Sequence, residues 1–233
     1  MPMYAVLVAV FFISALLASA FVTFQFARVV VPRRWLTVWW VRHRRCTLGV
    51  YGAWFASYAG FIALGTGPDD LSLYPPRETS PYRLPWRAGV SRLVAQGNRS
   101  FASHRGGHLR AWDFWMPIGT DVLAARAGKV VEIEDRLDGI GFRPNFVTVE
   151  HADGTRAIYA HVRRGSATVR VGDDVLRGQV IAASGMVGQT VFPHLHFVVT
   201  THDGAASLPI SFADVPEGVP LAAHWYTSAN GAP

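Results

Sequence analysis

Charge and cross-linking chemistry are both scarce in this chain. Of its 233 residues, 16% are charged and one, Cys46, is a cysteine. A lone cysteine excludes an intrachain disulfide, so any exported domain must be held by its apolar core. Lysine is equally rare, with Lys129 the single example. Low charge combined with 50% hydrophobic residues and a mean hydropathy of +0.20 excludes a disordered or low-complexity chain. Acidic residues are missing altogether from residues 1–67, which hold six arginines. The remainder carries sixteen residues of each sign, so the net charge of +6 belongs to the N-terminal part. That excess lies beside apolar runs and is not spread over a balanced globular surface. Nucleic acid is therefore excluded as a partner at this stage.

Two uncharged runs flank the arginines. Met1–Ala27 has no charged residue, and Ala5–Phe26 is almost wholly apolar. At 1.5 Å per residue it can cross a hydrocarbon core of ~30 Å. The second run, Cys46–Pro68, is diluted by Gly49, Gly52 and Gly60. Between them, Trp35, Trp39 and Trp40 accompany the arginines, as suits a membrane–water interface. The expectation is a two-helix transmembrane hairpin over about 4–27 and 46–64, with a basic cytoplasmic loop and the rest of the chain outside the bacterial cytoplasmic membrane. A cleaved signal peptide is the competing reading. Ala18-Ser19-Ala20 suits a cleavage site, but Met1–Tyr4 lacks a positive start.

Five prolines between residues 68 and 87 suggest a stiff spacer. Beyond them no long 3.6-residue apolar period occurs. Short β-branched runs appear instead at Val130–Ile133, Phe146–Val149, Ala157–Val162, Val169–Val171, Val180–Ala182 and Leu195–Thr200. Asp153-Gly154 marks a hairpin between two of them. An all-β domain, an antiparallel sandwich or barrel, is expected over 88–212, followed by a tail over 213–233.

Eight of the nine histidines lie beyond residue 100. In Pro193-His194-Leu195-His196-Phe197, a strand would send both histidines to one face and the apolar residues to the other. By the same alternation His161 shares the Tyr159 side of its strand. Asp113 is isolated between Trp112 and Phe114, where an uncompensated carboxylate is costly unless it binds a cation or accepts turn amides. Each feature alone is also compatible with ordinary surface or half-buried residues.

Together they resemble the lysostaphin-type (LytM-type) zinc metallopeptidases, many of which cut peptide cross-links in bacterial cell walls. The matching pieces, in family order, include Ser103-His104-Arg105-Gly106, Asp113–Thr120, Tyr159-Ala160-His161, Val171-Gly172-Asp173, Gly178–Ile181, Ser184-Gly185 and Pro193–Phe197, and span about half the chain. The resemblance implies a β-sandwich of the barrel-sandwich type and one Zn2+ held by His104, Asp113 and His196. It makes His161 and His194 the non-ligand catalytic histidines. The His104–Asp113 spacing is the longer form found in one branch of the family, and it encloses His108, which could compete as a ligand. Asp121 stands where proline is usual and Val162 where leucine is usual.

The function so implied is a membrane-anchored zinc endopeptidase of peptidoglycan stem-peptide cross-links. Two alternatives keep the fold: a non-catalytic domain that binds the wall and activates another hydrolase, and an endopeptidase for exported proteins. A biotinyl- or lipoyl-type carrier would share the Val171-Gly172-Asp173 and Gly178–Ile181 pattern. It would need a lysine at a hairpin tip, and Lys129 instead precedes an apolar strand.

Overall fold

The computed structural model describes residues 67, 68, 70–100 and 102–231. Both expected membrane segments and the basic loop lie outside the described residues. No described helix is long and apolar enough to cross a membrane. Residues 65–233 form one compact unit.

The described residues of that unit contain ten strands: β1 (Ser91–Gln96), β2 (Trp112–Trp115), β3 (Asp121–Leu123), β4 (Gly128–Glu134), β5 (Phe146–Glu150), β6 (Arg156–Ala160), β7 (Asp174–Val175), β8 (Val180–Ala183), β9 (His194–Thr200) and β10 (Trp225–Thr227). Eight form one sheet in the order β10-β1-β2-β9-β6-β5-β4-β7, and β3 and β8 pair as a separate ribbon. Every ladder between strands is antiparallel. Helical structure among the described residues is limited to three short 3-10 turns, at Leu71–Leu73, Arg77–Thr79 and Gly106–His108.

The ribbon and the sheet share one core. Val122 and Ile181 of the ribbon join Phe114, Tyr159, Leu195 and Phe197 of the sheet in a single buried cluster. The aromatic members meet edge to face, Trp86 on Phe114 at 5.0 Å and Tyr159 on Phe197 at 5.2 Å between ring centroids. Tyr159 also satisfies its hydroxyl by accepting from the Ala125 backbone N–H at 2.8 Å. β9 sits in the middle of the sheet and is buried along its whole length.

The segment read as a spacer contributes to this core. Tyr82, Leu84 and Trp86 are all buried, and the Trp86 indole donates to the Val90 carbonyl at 2.7 Å. Residues 213–231, read as a tail, supply buried Val215, Val219 and Tyr226 and the edge strand β10. The strand expected at Val169–Val171 is a turn instead. The Asp173 carboxylate accepts from the Arg170 N–H at 2.8 Å and Gly172 takes φ 97°, which bends the chain before β7. Between β5 and β6, Ala152-Asp153-Gly154 forms the expected hairpin, with Gly154 at φ 80° and His151 N–H bonded to the Thr155 carbonyl at 2.8 Å.

Candidate metal centre

Register places the site on the face of the sheet opposite the core. In β2, Trp112 and Phe114 point inward with no exposed surface, so Asp113 between them points outward. In β9, Leu195 and Phe197 are likewise fully buried in the core, and His194 and His196 take the other face. Asp113 is the direct cross-strand partner of His196, and Trp115 that of His194. One β2–β9 pairing thus brings a carboxylate and two imidazoles together from sequence-distant strands.

His104 arrives from the loop after β1. Its Nδ1 lies 2.7 Å from the Gly97 carbonyl and its Nε2 3.2 Å from Asp113 Oδ1. His196 Nδ1 lies 2.9 Å from the same oxygen. His104, Asp113 and His196 are buried, and one ligand atom from each lies within 4.8 Å of the others. Asp113 Oδ2 is occupied separately, accepting from Gln96 Nε2 at 2.6 Å. Gln96 in turn accepts from Ser100 Oγ at 2.6 Å.

The donor set fits a divalent cation. A carbonyl can only accept, so Nδ1 of His104 carries a proton and a neutral ring presents its Nε2 lone pair to Asp113 Oδ1. Two lone pairs facing each other at 3.2 Å repel unless a proton or a metal lies between them. The protonation equilibria express the same demand. Burial opposes the charged form of His104, yet the Asp113 charge and hydrogen bond, with the Gly97 and Ala111 carbonyls, raise its pKa. Burial also opposes ionisation of Asp113, but His194 and His104 carry its pKa well below the usual carboxylate value. His196 is pushed down to about 4, chiefly by burial, and so is a neutral donor at neutral pH. Two nitrogens and an oxygen in this setting suit zinc, which leaves a fourth tetrahedral position open.

Two further histidines border the set. His194 Nε2 is 3.6 Å from Asp113 Oδ1, and its Nδ1 is held 2.9 Å from the Phe192 carbonyl. The His161 ring lies 4.6 Å from that of His194, with Nδ1 fixed 2.8 Å from the Val187 carbonyl. The structure corrects the route by which His161 gets there. Tyr159 pairs with Phe197 on the core side, while Ala160 pairs with His196 on the site side. Alternation alone would send His161 into the core with Tyr159. It reaches the site because its backbone leaves the strand with φ 65°, a left-handed conformation uncommon outside glycine. Burial, first, and the neighbouring His194 push its pKa down to about 4.

All five expected residues therefore converge at one end of β9. Residues 107–209, which contain Asp113, His161, His194 and His196, match the sequence profile of Peptidase family M23. The chain carries an M23 peptidase domain. The M23 domain is 40% identical over 93 residues to the glycyl-glycine endopeptidase ALE-1 of Staphylococcus capitis, a stretch covering 40% of this chain and 24% of that protein. To lysostaphin of Staphylococcus simulans it is 41% identical over 93 residues, 40% of this chain and 18% of the relative. To the peptidoglycan DD-endopeptidase ShyB of Vibrio cholerae it is 33% identical over 104 residues, 42% and 23% of the two chains. The chain thus spans about a quarter or less of the length of these curated relatives. The cofactor of an M23 domain is zinc, and among the described residues His104, Asp113 and His196 are the group that could hold one ion.

Sequence reasoning missed Gln96. It lies one strand away from the motifs, and a bulge puts it on the site face. Val94 faces Phe114 in the core, yet Gln96 pairs with Asp113, a two-against-one register that reverses its side. Nothing in the local sequence signals that bulge.

Proposed function

We propose that the chain is a zinc metalloendopeptidase that cuts peptide cross-links of peptidoglycan, anchored by its N-terminal apolar segments with the M23 domain on the outer side of the cytoplasmic membrane. The observation that carries the reading is the convergence of three ligand-type side chains with two further histidines of fixed tautomer on one sheet face. The anchoring rests on the apolar runs and the arginines between them. The substrate class rests on the activities in the names of the similar proteins.

His104, Asp113 and His196 would hold the ion. When bound, zinc polarises a scissile carbonyl and makes water acidic enough to lose a proton near neutral pH. The protein's own groups handle that proton. His194 donates through Nδ1 to the Phe192 carbonyl, so its Nε2 lone pair faces the site and is the nearer acceptor. It returns the proton to the leaving amine. His161, its Nδ1 held in the same way by the Val187 carbonyl, stands beside His194 and would stabilise the developing oxyanion.

The test uses the purified full-length chain: zinc content is measured, with release of soluble fragments from isolated peptidoglycan. Stoichiometric zinc and chelator-sensitive appearance of cut stem peptides are expected. His196→Ala is expected to lose zinc and activity together. His194→Ala is expected to keep zinc while activity falls by about 10²- to 10⁴-fold, the range for removing a general acid–base group. Bound zinc without fragment release would reject peptidoglycan as the substrate, and normal turnover by both variants would reject the mechanism.

A further inference from the structure

The longer spacing between His104 and Asp113 makes room for a short 3-10 turn, Gly106–His108, that ends against the metal-ligand set. There His108 Nδ1 lies 3.0 Å from Nε2 of His196, with the two rings 5.1 Å apart. The turn is seated from behind. A side chain on Gly107 would come within 3.0 Å of the Gly204 carbonyl oxygen, so the glycine allows the turn to lie close against the loop after β9. His108 itself stays exposed.

The consequence concerns the tautomer of His196. Its Nδ1 is the atom 2.9 Å from Asp113 Oδ1, and it can ligate only while it holds no proton. A neutral imidazole must then carry its proton on Nε2. Without a metal, Asp113 rewards the opposite tautomer, since a proton on Nδ1 would bridge to the carboxylate. An acceptor at Nε2 tips the balance back. For His104 the Gly97 carbonyl already does this at the non-ligating nitrogen, whereas at His196 Nε2 the partner is His108 Nδ1.

We infer that His108 is a positioning residue for the metal centre: its Nδ1 accepts the hydrogen bond from His196 Nε2–H and holds His196 in its ligating tautomer. This rests on the reading of His104, Asp113 and His196 as the ligand set. It gives the chain a ligand support carried by an exposed residue.

Three variants of the full-length chain test it: His108→Ala, His108→Leu and His108→Asn. Leucine fills the space without an acceptor, and the asparagine side-chain oxygen stands where Nδ1 does. Zinc affinity is read by competition with a chromophoric chelator at pH 8, and the His196 tautomer by imidazole 15N shifts of the metal-free protein. Alanine and leucine are expected to weaken zinc by about 10- to 100-fold, the usual effect of losing a ligand's hydrogen-bond partner. Their His196 proton is expected to move from Nε2 toward Nδ1. Asparagine is expected to restore both readouts toward wild type. Thermal unfolding of the metal-free variants controls for folding, and His108 is exposed, so all three are expected to unfold as wild type does. Wild-type zinc affinity in the leucine variant would overturn the inference. So would asparagine as weak as leucine, which would make His108 itself a ligand. Wild-type protein that binds no zinc would overturn both this inference and the ligand set, whereas intact zinc binding without peptide cleavage would remove only the proposed activity.

Discussion

Single side chains decide how well this site holds a charge. Asp113 has one oxygen facing His104 and His196 and one for Gln96, whose amide N–H reaches it at 2.6 Å. Replacing Gln96 by leucine would leave a buried carboxylate oxygen without a partner. Zinc affinity is expected to fall by about 10- to 100-fold, measured by chelator competition. Gln96→Glu should be worse, because a second carboxylate would then face the first across a buried contact. A glutamate variant that bound zinc as tightly as wild type would show that Gln96 plays no part in orienting Asp113. Away from the site, His151 is a buried histidine of another kind. Its Nδ1 lies 2.9 Å from the Ala127 carbonyl, and its buried Nε2 has no hydrogen-bond partner among the described residues. Burial is the largest influence on it and lowers its pKa; the Ala127 carbonyl opposes the shift without cancelling it. The folded chain therefore binds this proton less readily than the unfolded chain. Stability contributed by neutral His151 is intact above the unfolded histidine pKa of about 6.5 and is lost as pH falls from there toward the lower folded value. A denaturant midpoint followed from pH 8 to pH 5 should drop less steeply in His151→Phe than in wild type.

At the scale of strands and turns, the site depends on two departures from regular alternation. The β1 bulge turns Gln96 from the core face to the site face, and the left-handed residue after β6 does the same for His161. The second departure is braced by a glycine. A Cβ on Gly185 would stand 2.7 Å from the Arg163 nitrogen and 2.8 Å from the His161 carbonyl oxygen, both backbone atoms that cannot step aside alone. Gly185→Ala is therefore expected to displace the His161 turn and cost on the order of 1–3 kcal/mol of stability, as overpacking does. The proposed metal ligands His104, Asp113 and His196 lie on other elements, so zinc content should persist while peptidase activity falls. Loss of zinc in this variant, or full activity, would break the assignment of His161. These departures also mark how far the sequence could be read. Strict alternation gave His194 and His196 their shared face and put Leu195 and Phe197 in the core. The same rule assigned His161 to the Tyr159 side, where it fails. A two-residue period is visible in a sequence, whereas the φ of one residue or an unpaired strand position depends on the tertiary packing around it.

The whole domain is held closed by parts of the chain whose composition hides their role. Proline-rich residues 68–87 and the stretch after residue 212 lack any long apolar run, yet both feed the same core. The Trp112 indole donates to the Pro220 carbonyl at 3.0 Å, and the Asp214 carboxylate accepts from the backbone N–H groups of Leu84 and Ala229. Asn230 adds bonds from its side-chain amide to the carbonyls of Leu84 and Ala124. These contacts are long-range and consist of single residues, so no periodic signal announced them. A chain ending at Phe212 would remove β10 together with buried Val215, Val219 and Tyr226 and strip the partners from Trp112 and Leu84. Each buried apolar side chain is worth roughly 1.5–3 kcal/mol, so the loss is on the order of 5 kcal/mol or more. A domain of ordinary stability has about 5–15 kcal/mol in total. The truncated chain is thus expected to lose its cooperative thermal transition and, with the β1–β2–β9 register loosened, its zinc. If residues 213–233 were only a trailing tail, the truncated and complete chains would melt at the same temperature and bind zinc alike. The core contacts of Trp112 argue for the first outcome, because the strand that buries this indole is the one that presents Asp113.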